Sequence, residues 1–467
     1  MSEVRVRMAP SPTGEYHIGH IRTVLYNYAF AKKMGGQFII RIEDTDRVRF
    51  VEGATERILQ VIKDYGLDWD EGPQKEGEYG PYIQSQRLDI YKEYIQKLVE
   101  KNVAYPCFCT PERLTEMREE QRAKGIHATK YDKKCLHISK EESQKRIDAG
   151  ESHVYRLNVE PNQEISFDDI VYGKITFNSS DIDDQVLLKS DGFPTYHFAV
   201  VVDDYLMKIT HVLRGNDWLP STPKHILLYK AFGWDMPIYA HLPNLKELGG
   251  TKKLSKRNGP VAAREFLDEG YLPEALDNFV MLLGWKPGSD QEFYTLDEFI
   301  DKFELESISK TDLVAFDRNK LRWMNGEYIK RLSNEDFAQK IKEYFDGKYN
   351  KDLEKIAPLV KERISTLKEF ASIASFFFED QEVDTEMIGN PDHVRLAYEA
   401  LNKVNDWTLD TINDALMEVI ADNEFKTGKF FMDIRIAVTG SKVTPPINDS
   451  IAILGKERTL LLLQRSL

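Results

Sequence analysis

A chain of 467 residues with 42% hydrophobic and 30% charged side chains has the balance of a globular protein with room for roughly three to five modules. It lacks any run of about 18 uncharged apolar residues, which excludes a transmembrane helix; arginines at 5 and 7 break up a secretory h-region, so the expected location is the cytoplasm. The net charge of −14 disfavours indiscriminate nucleic-acid binding, but basic patches at Lys252-Lys253, Lys256-Arg257 and 318–322 leave a local nucleic-acid surface open. Val4, Val6 and Met8 alternate with Arg5 and Arg7, which predicts a strand with one buried and one polar face. After a loop at 9–14, Ile18, Ile21, Leu25, Tyr28, Ala29 and Lys32 recur at helical spacing, and Gly35-Gly36 ends the helix. Phe38-Ile39-Ile40 opens a second strand that runs to Glu43-Asp44. Strand, helix and strand of this length imply a parallel, doubly wound sheet, whose ligands bind at the carboxyl ends of strands, where Arg7 and Glu43 fall.

His17-Ile18-Gly19-His20 opens the predicted first helix. A helix start offers free N–H groups and a positive dipole end to phosphates, Gly19 lets a flat base approach, and two imidazoles can bond phosphate oxygens. Alone, this four-residue pattern is also what a capping histidine would give. Further along, Cys107, Cys109, Cys135 and His137 form a C-x-C and C-x-H set, the ligand types of a closed, structural tetrahedral Zn²⁺ site. The alternative is three buried, reduced thiols; an odd count argues against a disulfide framework. His153 to Leu157, Val200-Val201-Val202 and Lys208 to Leu213 all read as strands. Lys253-Leu254-Ser255-Lys256-Arg257, flanked by Gly249-Gly250 and Gly259, is a loop able to close cations on a leaving phosphate group, or else a solvated basic loop. From about residue 323 the pattern is helical, with amphipathic stretches such as Asp352 to Phe370.

The run Ala9 to Gly14 (APSPTG), then HIGH, then Arg41 to Asp46 (RIEDTD), resembles the opening of bacterial-type glutamyl-tRNA synthetases, which are class I aminoacyl-tRNA synthetases. The segments 210–229, 270–285, 316–328, 431–440 and 454–458 extend that resemblance over nearly the whole chain. Lys253 to Arg257 resembles the class I KMSKS loop, with Leu for Met and Arg for the last Ser. The implied fold class is α/β: a class I Rossmann-like catalytic domain (1–100 and 189–258) with an inserted acceptor-stem domain at 101–188, a stem-contact domain at 259–322 and all-α anticodon-binding domains at 323–467.

The resemblance implies ATP with Mg²⁺, L-glutamate and tRNA(Glu) as partners, one structural Zn²⁺, a monomer and no membrane. It implies ATP contacts at His17, Gly19, His20, Lys253, Leu254, Ser255, Lys256 and Arg257, with the histidines, Lys253, Lys256 and Arg257 catalytic. It also implies amino-acid contacts. Arg7 and Arg214 would bind the substrate's carboxylates, which suits forked guanidinium donors. Glu43 would hold the ammonium, Ser11 and Tyr196 would add hydrogen bonds, and Ala9 and Trp218 would shape the pocket. Val200 departs from the polar residue the family usually places after the pocket tyrosine. Arg363 is aligned with an anticodon-reading arginine. Competing expectations are a class I nucleotidylyltransferase, a glutaminyl-tRNA synthetase, a tRNA-modifying relative and a tRNA-binding paralogue without activity.

Overall fold

The computed structural model describes residues 3–254 and 259–467. The chain forms two compact units, one of Met1–Arg264 with Asp277–Phe316 and one of Glu265–Leu276 with Asp317–Leu467. Among the described residues no helix is long and apolar enough to cross a membrane.

The first unit opens with β1 (Arg5–Met8), α1 (Ile18–Lys33), β2 (Gln37–Ile40), α2 (Ala54–Asp64) and α3 (Leu88–Glu100). β1 and β2 pair in parallel, Arg7 opposite Ile39. The expected face of α1 is buried at Ile18, Ile21, Leu25 and Ala29. Gly36 follows because a Cβ there would lie 2.1 Å from the Val4 carbonyl oxygen, which accepts the Gln37 N–H. The alternation of β1 holds, but its polar face is not wet: Arg5 and Arg7 are 7% and 3% exposed. Such a strand is covered on both sides, so its charges must find partners inside the protein.

The chain continues through β3 (Ala104–Cys107), α4 (Pro111–Ala123), α5 (Lys140–Asp148), β4 (Val154–Leu157), β5 (Glu164–Asp169), β6 (Gly173–Asn178) and β7 (Val186–Leu188). Strands β3, β4 and β7 make a small antiparallel sheet. β5 pairs instead with β9 (below), so part of the segment expected to be an insertion joins the main parallel sheet.

Then come α6 (Tyr196–Leu206), β8 (His211–Gly215), α7 (Thr222–Phe232), β9 (Ile238–Leu242) and β10 (Asn244–Glu247). Val200 to Val202 are helical, contrary to the strand reading. Phe198 to Asp204 are all buried, and a helix enclosed on all sides shows no amphipathic period to distinguish it from a core strand. Lys208, with φ of 58°, lies in the turn between α6 and β8 and not in a strand. β8 and β9 run parallel, and Arg5 bonds to Thr210 in both directions, bringing β8 alongside β1. The carboxyl ends of β1, β2, β8 and β9 therefore share one edge of the sheet.

Next come α8 (Ala263–Asp268), α9 (Pro273–Met281), α10 (Leu296–Lys302) and β11 (Leu313–Phe316), which pairs with β10. The second unit adds α11 (Arg318–Arg331), α12 (Asn334–Tyr344), α13 (Leu353–Val360), α14 (Phe370–Ala374), α15 (Pro391–Lys403), α16 (Leu409–Asp422), α17 (Thr427–Thr439), α18 (Ile447–Leu454) and α19 (Lys456–Arg465). Asp317 caps α11 by accepting the N–H groups of Asn319 and Lys320. One core of this unit gathers Leu272, Phe337, Ile356 and Phe370, and another gathers Val394, Leu401, Leu416 and Ile434. The stretch expected as one amphipathic helix, Asp352 to Phe370, breaks after α13 into 3₁₀ turns at Lys361–Arg363 and Leu367–Glu369. Ile364 and Leu367 both reach the core from these turns.

Candidate active site

Near the end of β1 stands Arg7, whose Nε and Nη2 donate to Asp204 Oδ1 and Oδ2 at 3.0 and 3.2 Å. Arg41 donates to the same carboxylate at 2.7 Å and to Glu43 Oε1 at 3.0 Å. Burial alone would push Asp204 up, but Arg7 and Arg41 outweigh it and hold its carboxyl below the usual carboxylate range. Glu43 goes the other way. Burial raises it to about 7, since its partner Arg41, which pulls the other way, is shared with Asp204. The adjacent Asp203 accepts from Arg87, Gln84 and Tyr91, each at 2.8 Å. Ala9 and Ser11 flank this cluster: the Pro10 carbonyl accepts the Glu43 N–H, and Ser11 is exposed.

Arg214, on β8, is buried in a different environment. Nε donates to His241 Nε2 at 3.1 Å, Nη2 to Thr222 Oγ1 at 2.9 Å, and Nη1 to His225 Nδ1 at 3.3 Å. Among the described residues no carboxylate lies within ion-pair distance of it. Tyr196, at the start of α6, sits between the two arginines. Burial raises its phenol, Arg214 and Arg7 draw it down, and Glu43 and Asp204 push it up. Trp218 follows β8 on a 3₁₀ turn, and its ring lies 4.4 Å from the Tyr196 ring. Val200, one turn along α6, is buried and offers no polar atom.

The first turn of α1 flanks the cleft. His17 caps α1, its Nδ1 accepting the Gly19 N–H at 3.0 Å. A Cβ on Gly19 would lie 3.2 Å from that same nitrogen, so the turn is tight. His20 feels the charges of Lys253 and Asp217, which pair with each other at 2.9 Å. Leu254 is buried, and its N–H is held by the Leu245 carbonyl. Ser255, Lys256 and Arg257 lie outside the described residues.

The sulfurs of Cys107, Cys109 and Cys135 lie within 4.8 Å of one another. His137 is exposed and outside that group, so the expected fourth ligand is not brought in. The Tyr131 hydroxyl stands there instead, 3.4 Å from the Cys107 sulfur and 3.3 Å from that of Cys109. A 3₁₀ turn at Lys134–His137 buries Cys135 and turns the next-but-one residue out to solvent. Three soft donors and one phenol oxygen suit a Zn²⁺ ion. Arg363 lies not within a helix but on the exposed turn after α13, donating to the Leu359 carbonyl at 2.8 Å. Its charge acts on the half-buried Arg435 of α17.

The family described as tRNA synthetases class I (E and Q), catalytic domain, matches residues 3–323, and an anticodon binding domain matches 336–467. A glutamate-tRNA ligase of Clostridioides difficile (strain 630) is 46% identical over 98% of this chain and 97% of its own. One from Finegoldia magna is 45% identical over 98% of each chain. The crystal structure of a glutamate tRNA ligase from Elizabethkingia meningosepticum CCUG26117, in complex with its amino acid, superposes with a TM-score of 0.89. It shares 36% identity and covers 100% of this chain and 99% of that one.

The chain belongs to the glutamate-tRNA ligases.

Its class I catalytic domain and C-terminal anticodon-binding domain give the mixed α/β fold with a helical end that the motifs implied. What the motifs did not reveal are the partners of Arg7 and Arg214. Arg41 was visible in RIEDTD, and two adjacent acids after a valine run, Asp203-Asp204, are a signal of buried counter-charge. Nothing local to Asp169, Thr222, His225 or His241 marks them, because they meet Arg214 through sheet pairing and packing.

Proposed function

We propose that this chain activates L-glutamate with ATP and transfers it to the 3′-terminal adenosine of tRNA(Glu). The observation that carries the substrate choice is Arg214: a buried guanidinium surrounded by neutral acceptors, close to Tyr196, suits an anionic side chain. Arg214 takes the side-chain carboxylate, Glu43 the ammonium, and Tyr196 and Ser11 add hydrogen bonds. Arg7 contributes the donors that Asp204 does not use. Ala9 and Trp218 bound the pocket. The α-carboxylate then attacks the α-phosphate of ATP and pyrophosphate leaves. The α1 terminus with His17, Gly19 and His20, and the loop with Lys253, Leu254, Ser255, Lys256 and Arg257, meet the charge growing on phosphate oxygens. Mg²⁺ arrives with ATP and offsets phosphate charge. The test is glutamate-dependent ATP–pyrophosphate exchange in the presence of tRNA, which should be robust with glutamate and absent with alanine. Equal exchange with either amino acid would refute the reading.

Three expectations attach to this site. Lys256→Ala should lower kcat by on the order of 10²-fold, since one transition-state contact is lost, with little change in KM for glutamate; unaltered turnover would remove Lys256 from the mechanism. Glu43 must be ionised to hold an ammonium. Its raised pKa means the charged form is lost as pH falls through about 7, so kcat/KM for glutamate should rise across that pH and level off above it. Glu43→Gln should abolish that limb, and a wild-type profile flat from pH 6 to 8 would contradict the assignment. Finally, the three cysteines should hold about one Zn²⁺ per chain, with Tyr131 in the fourth position. Metal analysis should find the ion reduced in Cys135→Ser and weakened in Tyr131→Phe, but retained in His137→Ala; loss on the His137 change alone would restore the histidine as ligand.

We place the acceptor-stem domain at 101–188, inserted between the two catalytic halves (1–100 and 189–258), and the stem-contact domain after them at 259–322. The helical region from 323 reads the anticodon, Arg363 serving as a donor to base edges.

A further inference from the structure

Asp169 ends β5, and His241 lies on the neighbouring β9. Both side chains are fully buried. Both oxygens of Asp169 accept, and the His241 backbone N–H is shared between them, 3.4 Å from Oδ1. Oδ1 accepts the N–H groups of Val171 and Tyr172 at 3.0 and 2.9 Å. Oδ2 accepts the His241 backbone N–H at 3.1 Å and its Nδ1 at 2.7 Å. A carboxylate in this position can only accept, so Nδ1 carries the imidazole proton. Nε2 then presents a lone pair, and Arg214 Nε donates to it at 3.1 Å. Arginine has no acceptor, so the other tautomer would set N–H against N–H.

We propose that Asp169 and His241 are positioning residues that hold Arg214 in the plane and rotamer required to receive the substrate carboxylate. The inference rests on the pocket reading above. The contrast with Arg7 shows what the arrangement achieves. Asp204 takes two of Arg7's five donors directly. Asp169 offsets the buried charge of Arg214 from one imidazole away, leaving both terminal nitrogens to neutral partners and to the substrate. Thr222 and His225 each take one hydrogen from those nitrogens. A further one remains on each; among the described residues that on Nη2 meets the Trp218 carbonyl, at 3.5 Å. Supplying the counter-charge through a neutral relay keeps the cation buried without filling the seat of the incoming carboxylate.

Two substitutions at 241 separate this role from mere packing. Glutamine places its carbonyl oxygen about where Nε2 sits and can still accept from Arg214. Asparagine places its amide nitrogen about where Nδ1 sits; it can satisfy Asp169 but cannot reach Arg214. In tRNA aminoacylation, His241→Asn should raise KM for L-glutamate about tenfold with kcat changed much less, and should lower the preference for glutamate over glutamine. His241→Gln should restore KM to within about threefold of wild type. Asp169→Asn should resemble His241→Asn, because its amide must face two N–H donors on one side or the other. Thermal melting of each variant accompanies the kinetics. Equal KM values for His241→Gln and His241→Asn would overturn the proposal, as would an unchanged KM in a folded Asp169→Asn. An Arg214→Ala variant measured alongside distinguishes the two levels: if it binds glutamate as wild type does, the pocket reading itself is wrong and this inference falls with it.

Discussion

Arg214→Ala should lower kcat/KM for L-glutamate by on the order of 10²- to 10⁴-fold, equivalent to about 3–5 kcal/mol, because the substrate's carboxylate is then buried with no cation to answer it. The loss should fall mainly on KM if the guanidinium binds ground state and transition state alike. Folding should suffer far less. Among the described residues Arg214 has no direct ion-pair partner whose charge would be stranded, and the groups it releases, His241, His225 and Thr222, are neutral. Burial and the Arg214 charge hold His225 well below its ordinary value, so the ring is neutral near pH 7 and no charge is stranded there when the arginine is removed. Steady-state kinetics together with a melting curve check both halves. A variant that binds glutamate normally, or one that simply unfolds, would contradict the account.

Asp204→Ala should do the reverse. It strands Arg7 and leaves Arg41, both of them buried, to Glu43 and to Asp203, which lies 3.6 Å away and is shared with Arg87. Removing one member of a buried ion network costs about 3–5 kcal/mol, a large share of the roughly 5–15 kcal/mol that holds a typical domain together. The pH dependence follows from the direction of the shift. Asp204 sits below its unfolded value, so its stabilisation is complete above the unfolded carboxylate range and is lost as pH falls through the folded pKa. The stability gap between wild type and Asp204→Ala should therefore be constant near neutrality and close in acid. Urea titrations at several pH values measure it. A gap below about 1 kcal/mol at pH 7 would mean that the network is not what holds Arg7 in place.

The parts of this molecule legible in the sequence are those fixed by neighbours a few residues away. The alternation of Val4 to Met8, the spacing of Ile18 to Ala29 and the stop at Gly35 set β1 and α1 through local sterics and capping, and the structure follows them. Tyr196 links the candidate pocket residues: its phenol feels Arg214, Glu43 and Arg7, and its ring lies against Trp218. What escaped is long-range. Arg5 and Arg7 resemble a wet face until Glu71 and Asp204 are seen beneath them. The valines of α6 are helical only because that helix is enclosed, which no period in the sequence reports. Asp169 lies in a segment read as part of an insertion, yet β5 carries it to the edge of the main sheet and under His241. Tyr131 was passed over because a C-x-C and C-x-H spacing directs attention to His137, whereas a 3₁₀ turn decides which side chain faces the sulfurs.

The central claim is that a buried, unneutralised guanidinium at 214 selects an anionic amino acid for activation. Its most direct test is the ratio of kcat/KM for L-glutamate and L-glutamine in charging one tRNA(Glu) transcript at fixed salt. The account predicts a preference for glutamate of at least about 10²- to 10³-fold, falling by most of that factor in Arg214→Ala. Comparable values for the two amino acids in the wild-type enzyme would contradict it.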